Sequence, residues 1–339
     1  MSVDLAPYAG AVPDEVVRRI SGARRVLAVG HENPDADTLG ASLGIACLVE
    51  HMGGRADIVM TDPIPPIYDF LEGVQRARTD PDPDADYDLL VVSDCGTLDR
   101  VGAVRERHRE LFERLSRVIV DHHVSNDAVG PGDWIDPRAA ATCEMVAILA
   151  ARLGVPLEAG AGSLATALTA GMVMDTATFA HPNTTPRTLV VAAALLEAGA
   201  PLAEISRRLY RSKPLPQMRL YGRVLDRTES DLDGQLAWSW LLNKDLAGTG
   251  AEPPHSEGII DLLSQADTAE VVILFKESPE GTRISVRTRP GGVDATVLTG
   301  EFGGGGHARA AGATVPLPLD RARTVVLAAA RKLIAEVRR

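Results

Sequence analysis

Only three cysteines, Cys47, Cys95 and Cys143, are scattered through the 339 residues. That is too few for a disulfide framework or a thiolate zinc site, and it fits a reducing compartment. Aromatic residues make up 4% of the chain, so there is no ladder of rings on which a long single strand could stack. No uninterrupted apolar run approaches the ~18 residues needed to span a bilayer. The opening MSVDLAPYAG also lacks a basic stretch followed by an apolar segment, so a cytoplasmic location without a membrane partner is expected. Positive charge is short as well: 35 Lys and Arg face 46 Asp and Glu, a net charge of −11. This argues against a protein that coats long duplex nucleic acid, because such proteins neutralise many phosphates.

What is present is the composition of a folded protein, with 45% hydrophobic and 24% charged residues and a length that suggests two domains. The charge is uneven. Residues 281–339 carry ten Lys and Arg against four Asp and Glu, so an acidic body precedes a basic end. In the first half, short apolar runs alternate with helix-like segments, the pattern of a parallel sheet covered on both faces by helices. Strands are predicted at Arg25–Gly30, Ala56–Met60, Leu89–Ser93 and Val118–Val120, with helices at Thr38–His51 and Ala103–Arg114. From Cys143 to about Arg211 the pattern is mostly helical, and Pro214–Arg227 reads as a connecting helix. A second, smaller α/β domain follows. It has strands at Leu236–Trp240, Glu270–Phe275 and Arg283–Arg287, helices at Gly258–Gln265 and Ala322–Val337, and a glycine cluster at Gly303–Gly306. The expected organisation is therefore an α/β chain with a catalytic domain at 1–211, a helical linker at 212–230 and a second domain at 231–339.

Polar residues follow each strand of the first domain, where open α/β sheets place their ligands. His31, Asp35 and Asp37 fall within seven residues between a strand and a helix. An Asp before a helix is often an N-cap, and Asp37 alone is open to that reading, but it does not account for His31 and Asp35. Asp94 ends the run LLVVS, either as a ligand or as a cap of the turn at Gly96. Asp121, His122 and His123 follow the next strand, and Asp175 ends the helical run AGMVMD, where it is also readable as a simple helix-end carboxylate. Together these patches supply imidazoles and carboxylates in about the number two adjacent divalent ions need, and the softer thiolates are missing from them.

In GHENPDADTLGAS, VVSDCGTLDRVG, VDHHVSN and AGMVMDTATF the chain resembles the DHH phosphoesterase family, motif by motif and in order. SEGIID, ISVRTR and GGGGHARAAG likewise resemble the DHH-associated C-terminal domain. Within the family, the oligoribonuclease and pAp phosphatase branch is the most similar. The resemblance implies that His31, Asp35 and Asp94 hold one metal and that Asp37, Asp94, His122 and Asp175 hold the other, with Asp94 bridging. The ions would be Mn²⁺, with Mg²⁺ or Co²⁺ as alternatives, and a hydroxide between them would be the nucleophile. His123 would contact the phosphate and Asp121 would orient it.

In the second domain Arg287, Arg289 and His307, assisted by Ser285, would grip the far phosphate or base. Gly304, Gly305 and Gly306 would let backbone amides approach an anion, and the cluster is also readable as a flexible hinge. Short RNAs, dinucleotides and pAp are the expected substrates, and a homodimer is the expected assembly. A cyclic di-AMP or pApA phosphodiesterase, a pyrophosphatase or polyphosphatase, and a non-catalytic nucleotide-binding module stand as alternatives.

Overall fold

Five apolar runs of the first half pair side by side as parallel strands: β1 (Arg25–Val29), β2 (Arg55–Val59), β3 (Leu89–Ser93), β4 (Ser116–Asp121) and β5 (Asp133–Ile135). Their order in the sheet is β2-β1-β3-β4-β5. The computed structural model describes residues 3–128 and 130–337. Alternate residues point to opposite faces, and both faces are covered. Val26, Ala28, Val91, Val118 and Val120 pack under the helices Ala36–His51, Thr142–Leu153 and Ser163–Asp175. Leu27, Val29, Leu90, Val92 and Ile119 pack on the other side against Val101, Val104 and Leu115.

The predicted helix Ala103–Arg114 is in fact two, Ala103–Arg107 and Arg109–Arg114. The chain leaves helical geometry at His108, whose Nε2 lies 2.8 Å from Asp80 Oδ1. No single helix among the described residues is long and apolar enough to cross a membrane.

The chain divides into two compact units, Met1–Ser212 and Lys213–Arg339. The second holds a six-stranded mixed sheet built from β6 (Glu229–Asp231), β7 (Leu236–Leu241), β8 (Val271–Ser278), β9 (Gly281–Thr288), β10 (Gly305–His307) and β11 (Ala310–Val315). Its order is β10-β11-β9-β8-β7-β6, with only β7 and β8 parallel. Val271, Ile273, Phe275, Ile284 and Val286 face the core formed with helix Leu319–Val337. The other face is covered over β7 and β8 by the helices Leu215–Asp226 and Ile259–Leu263.

The helix of the segment 212–230 packs with the second unit. Leu220, Tyr221 and Val224 of this helix are buried in the second unit's core with Ala237, Ile259 and Leu274, because an amphipathic helix must bury its apolar stripe against something. Of the two readings of the glycine run, the flexible hinge gives way to a paired strand. Gly305 and Gly306 belong to β10, paired with Gly312 and Ala311 of β11. Side chains at Gly304 and Gly306 would strike the backbone of β11, so glycine is what allows this close approach.

Candidate metal centre

β1 ends at Val29, and Gly30 then leads to His31, which is 6% exposed. The His31 Nδ1–H donates to the Glu32 carbonyl oxygen at 2.6 Å, which turns Nε2 inward. Nε2 lies 3.5 Å from Asp94 Oδ2 and 3.8 Å from Asp35 Oδ2. Asp35, and not Asp37, caps the helix Ala36–His51. Its Oδ1 accepts from the Asp37 and Thr38 amides at 2.9 and 3.0 Å, which leaves Oδ2 for His31. Asp37 is completely buried, and its carboxylate accepts from the Thr142 and Cys143 amides at 2.7 and 2.9 Å, the first turn of the helix Thr142–Leu153. Gly171 makes room for it, since a Cβ there would lie 2.5 Å from Asp37 Oδ1.

Asp94 sits in the middle, 2% exposed, with φ at 56°, in the left-handed region that non-glycine residues seldom adopt. It does not cap the Gly96 turn. Its Oδ2 accepts from Thr38 Oγ1 at 2.7 Å and its Oδ1 from Thr142 Oγ1 at 3.2 Å. Oδ2 therefore faces His31 while Oδ1 lies 3.6 Å from His122 Nε2. His122 Nδ1–H points to the Ala139 carbonyl at 3.3 Å, and Nε2 also approaches Asp175 Oδ2 at 3.2 Å and Asp37 Oδ2 at 3.9 Å. The ligand atoms of His31, Asp35 and Asp94 lie within 4.8 Å of one another, and so do those of Asp37, His122 and Asp175. A third such set, Asp94, His122 and His123, overlaps both.

Asp121 stands apart from these sets. It is wholly buried, its Oδ1 lies 2.8 Å from His123 Nδ1, and its Oδ2 accepts from Asn126 Nδ2 at 2.7 Å. It therefore aims the His123 ring. Asn126, Thr38 and Thr142 escape a search for ligand types because they work by hydrogen bonding to the acids.

The electrostatics follow from crowding. Burial raises the pKa of Asp35, Asp37 and Asp175, and the Asp94 carboxylate raises them further. Burial acts against the charged forms of Asp94 and His122 as well, but contact prevails. His31 beside Asp94 holds that carboxyl at about 2, and Asp175 with Asp37 holds the His122 imidazolium up to about 10. The nest is thus rich in negative charge that is neutralised only by retained protons, and a divalent cation would replace those protons. Thiols do not compete, because burial pushes Cys95 up to about 12 and Cys143 well above its ordinary value.

In the second unit, register places Ser285, Gly312 and Gly305 in one row and Arg287, Ala310 and His307 in the next row on the same face. Arg287 Nε donates to Asp261 Oδ1 at 3.0 Å. Arg289 lies beyond the end of β9, and its guanidinium donates to the Ala266 carbonyl at 3.0 Å. His307 is exposed and makes no side-chain hydrogen bond among the described residues.

An acid and imidazole nest at the carboxyl edge of a parallel sheet is the equipment of a hydrolase that works with divalent metal ions. Residues 25–172 match the DHH family, N-terminal domain, and residues 234–336 match the DHHA1 domain. The chain is 33% identical over 324 residues to the bifunctional oligoribonuclease and PAP phosphatase NrnA of Thermus thermophilus, covering 94% of this chain and 92% of that one. It is 26% identical to the Bacillus subtilis protein of the same name, with 89% and 92% covered. An exopolyphosphatase-related protein from Bacteroides fragilis shares the fold, with a TM-score of 0.85, 20% identity and 98% of each chain covered. The chain belongs to the DHH family and is a hydrolytic enzyme of phosphoester chemistry.

Proposed function

We propose that the chain hydrolyses short oligoribonucleotides and di-adenylates to mononucleotides and converts pAp to AMP and phosphate, with two Mn²⁺ ions as cofactors. The observation that carries this reading is Asp94, whose two carboxylate oxygens face two separate histidine-centred sets. His31, Asp35 and Asp94 would hold one ion, and Asp37, Asp94, His122 and Asp175 the other. When bound, such ions lower the pKa of water and polarise phosphoryl oxygens.

The chain's own residues do the rest. Thr38 and Thr142 hydroxyls fix the two faces of Asp94, and the Glu32 and Ala139 carbonyls hold His31 and His122 with Nε2 inward. Asp121 accepts from His123 Nδ1–H and so fixes the ring, and the imidazolium form of His123 would donate Nε2–H to a phosphoryl oxygen as its charge grows. Ser285, Arg287 and His307, with the backbone of Gly304–Gly306, would take the remaining phosphate or base. Arg289 would have to release Ala266 to join them. The relatives' names support action on oligoribonucleotides and pAp, the three free cysteines fit a reducing compartment such as the cytoplasm, and a homodimer is part of the same reading.

The test is product analysis after incubation with Mn²⁺ and pAp, a linear di-adenylate, cyclic di-AMP or pyrophosphate, with a chelator control. AMP from the first two lanes is expected, and the cyclic lane ranks that substrate against them. Phosphate from pyrophosphate alone would overturn the reading.

A further inference from the structure

The loop after β5 and the first turn of the helix Thr142–Leu153 that follows it form one segment that reaches the nest at four points. The Ala139 carbonyl receives His122 Nδ1–H, the Thr142 and Cys143 amides bind Asp37, and the Thr142 hydroxyl binds Asp94. Three of the six candidate ligands take their aim from this one segment, so the question is what holds the segment.

Its two ends carry buried carboxylates, Asp136 and Glu144, and both are bound by one residue from another element. Arg187, in the first turn of the helix Pro186–Glu197, donates Nη1–H to Asp136 Oδ2 at 2.7 Å and Nε–H to Glu144 Oε1. The other oxygen of Glu144 accepts from the Ala140 amide at 3.1 Å and from the Thr188 hydroxyl at 2.8 Å. Asn183 closes the arrangement, with its amide donating to the Ala140 carbonyl at 3.0 Å and to the Asp175 carbonyl at 3.2 Å. The Arg187 side chain is 16% exposed, and those of Asp136 and Glu144 are 7% and 0% exposed. A planar guanidinium is suited to span two carboxylates in fixed geometry, which a single ammonium cannot do.

We infer that Arg187 is a positioning residue for the set Asp37, His122 and Asp175: by fastening both ends of the loop it holds the donors of that set on one ion. The inference rests on the metal reading above. Removing the guanidinium leaves buried Glu144 without a cation and Asp136 with only that of Arg138, whose exposed side chain donates to Oδ1 at 3.2 Å, and the loop shifts to hydrate them. Asp37 and His122 then lose their fixed directions. The set His31, Asp35 and Asp94 feels less of this, since His31 and Asp35 are aimed from the loop after β1.

The experiment is Mn²⁺ binding to the full chain, followed by calorimetry or by the free-ion paramagnetic resonance signal, for wild type, Arg187→Met and Arg187→Lys. In Arg187→Met one of two Mn²⁺ affinities should fall by roughly 10- to 100-fold, the usual effect of losing a residue that orients a ligand, while the other changes less than about twofold. Arg187→Lys keeps the charge but reaches only one carboxylate, so it should fall between. Turnover should return as Mn²⁺ is raised, with KM for a linear di-adenylate unchanged at saturating metal. Two affinities equal to wild type, or two weakened alike along with the melting temperature, would overturn the inference and leave Arg187 a general structural residue. A wild type that binds fewer than two ions would overturn the metal reading itself, and the inference with it.

Discussion

The two units arrange their charged side chains in opposite ways. In the first, acids and imidazoles are gathered below the surface, and nearly every donor has a second partner that fixes its direction: Glu32 for His31, Thr38 and Thr142 for Asp94, Ala139 for His122. In the second, the candidate groups lie on the open face of a sheet. Arg287 has an exposed aspartate for a partner, and His307 has no side-chain partner among the described residues. Buried charge is costly unless it is paired or bound to a metal, so the first unit dictates each residue and each angle. An exposed cation is hydrated and free to turn, so the second unit dictates only which face a residue occupies. Substitutions should therefore act on catalysis in the first unit and on affinity in the second.

The largest expected effect is at Asp94. Asp94→Ala should lower turnover of a linear di-adenylate on the order of 1,000-fold or more, because metal-centred charge stabilisation is worth several kcal/mol and each 1.36 kcal/mol is tenfold. Its circular dichroism should match wild type. Next comes the His123 pair. His123→Ala should cost roughly 100-fold in kcat, as expected for loss of one donor to a developing oxyanion, with Mn²⁺ affinity almost unmoved. Asp121→Asn should cost less, because it changes only the ring's orientation. His307→Ala should raise KM by roughly tenfold, the scale of one charge-assisted hydrogen bond, and leave kcat near wild type. A kcat defect at His307 equal to that at His123 would erase the contrast between the two units.

A pH measurement sharpens the same contrast. Protons held by the buried acids and by His122, raised to about 10, must leave when metal enters. Mn²⁺ affinity should therefore rise with pH, by roughly tenfold per unit for each proton displaced, and level off as pH passes about 10. Calorimetry in buffers of different ionisation enthalpy reads the released protons directly. Affinity that is flat between pH 6 and 9 would contradict this picture of the nest.

The sequence shows some of this plainly and hides the rest for physical reasons. β1, β3 and β4 are legible because a strand buried on both faces is a continuous apolar run, and what ends it is the candidate site: His31, Asp94, Asp121. β10 and β11 are hidden because GGH and AAGATV hold almost none of the branched or aromatic residues that mark a strand. The helix Leu215–Asp226 is visible, but its amphipathic pattern cannot say which unit covers its apolar side. The loop clamp is invisible for a different reason. Arg187 lies 43 residues from Glu144 and 51 from Asp136, and no local pattern records that three charges so far apart along the chain meet. The candidate ligand types could be read, whereas the hydrogen bonds that aim them required the fold.

The most direct test of a two-ion centre joined through Asp94 is the Mn²⁺ stoichiometry of the metal-stripped chain, measured on wild type and Asp94→Ala side by side. Two ions per wild-type chain, and a weakening of both in the variant, is the result the geometry predicts. A single ion in wild type, or a variant that loses only one of two, would contradict a bridging Asp94.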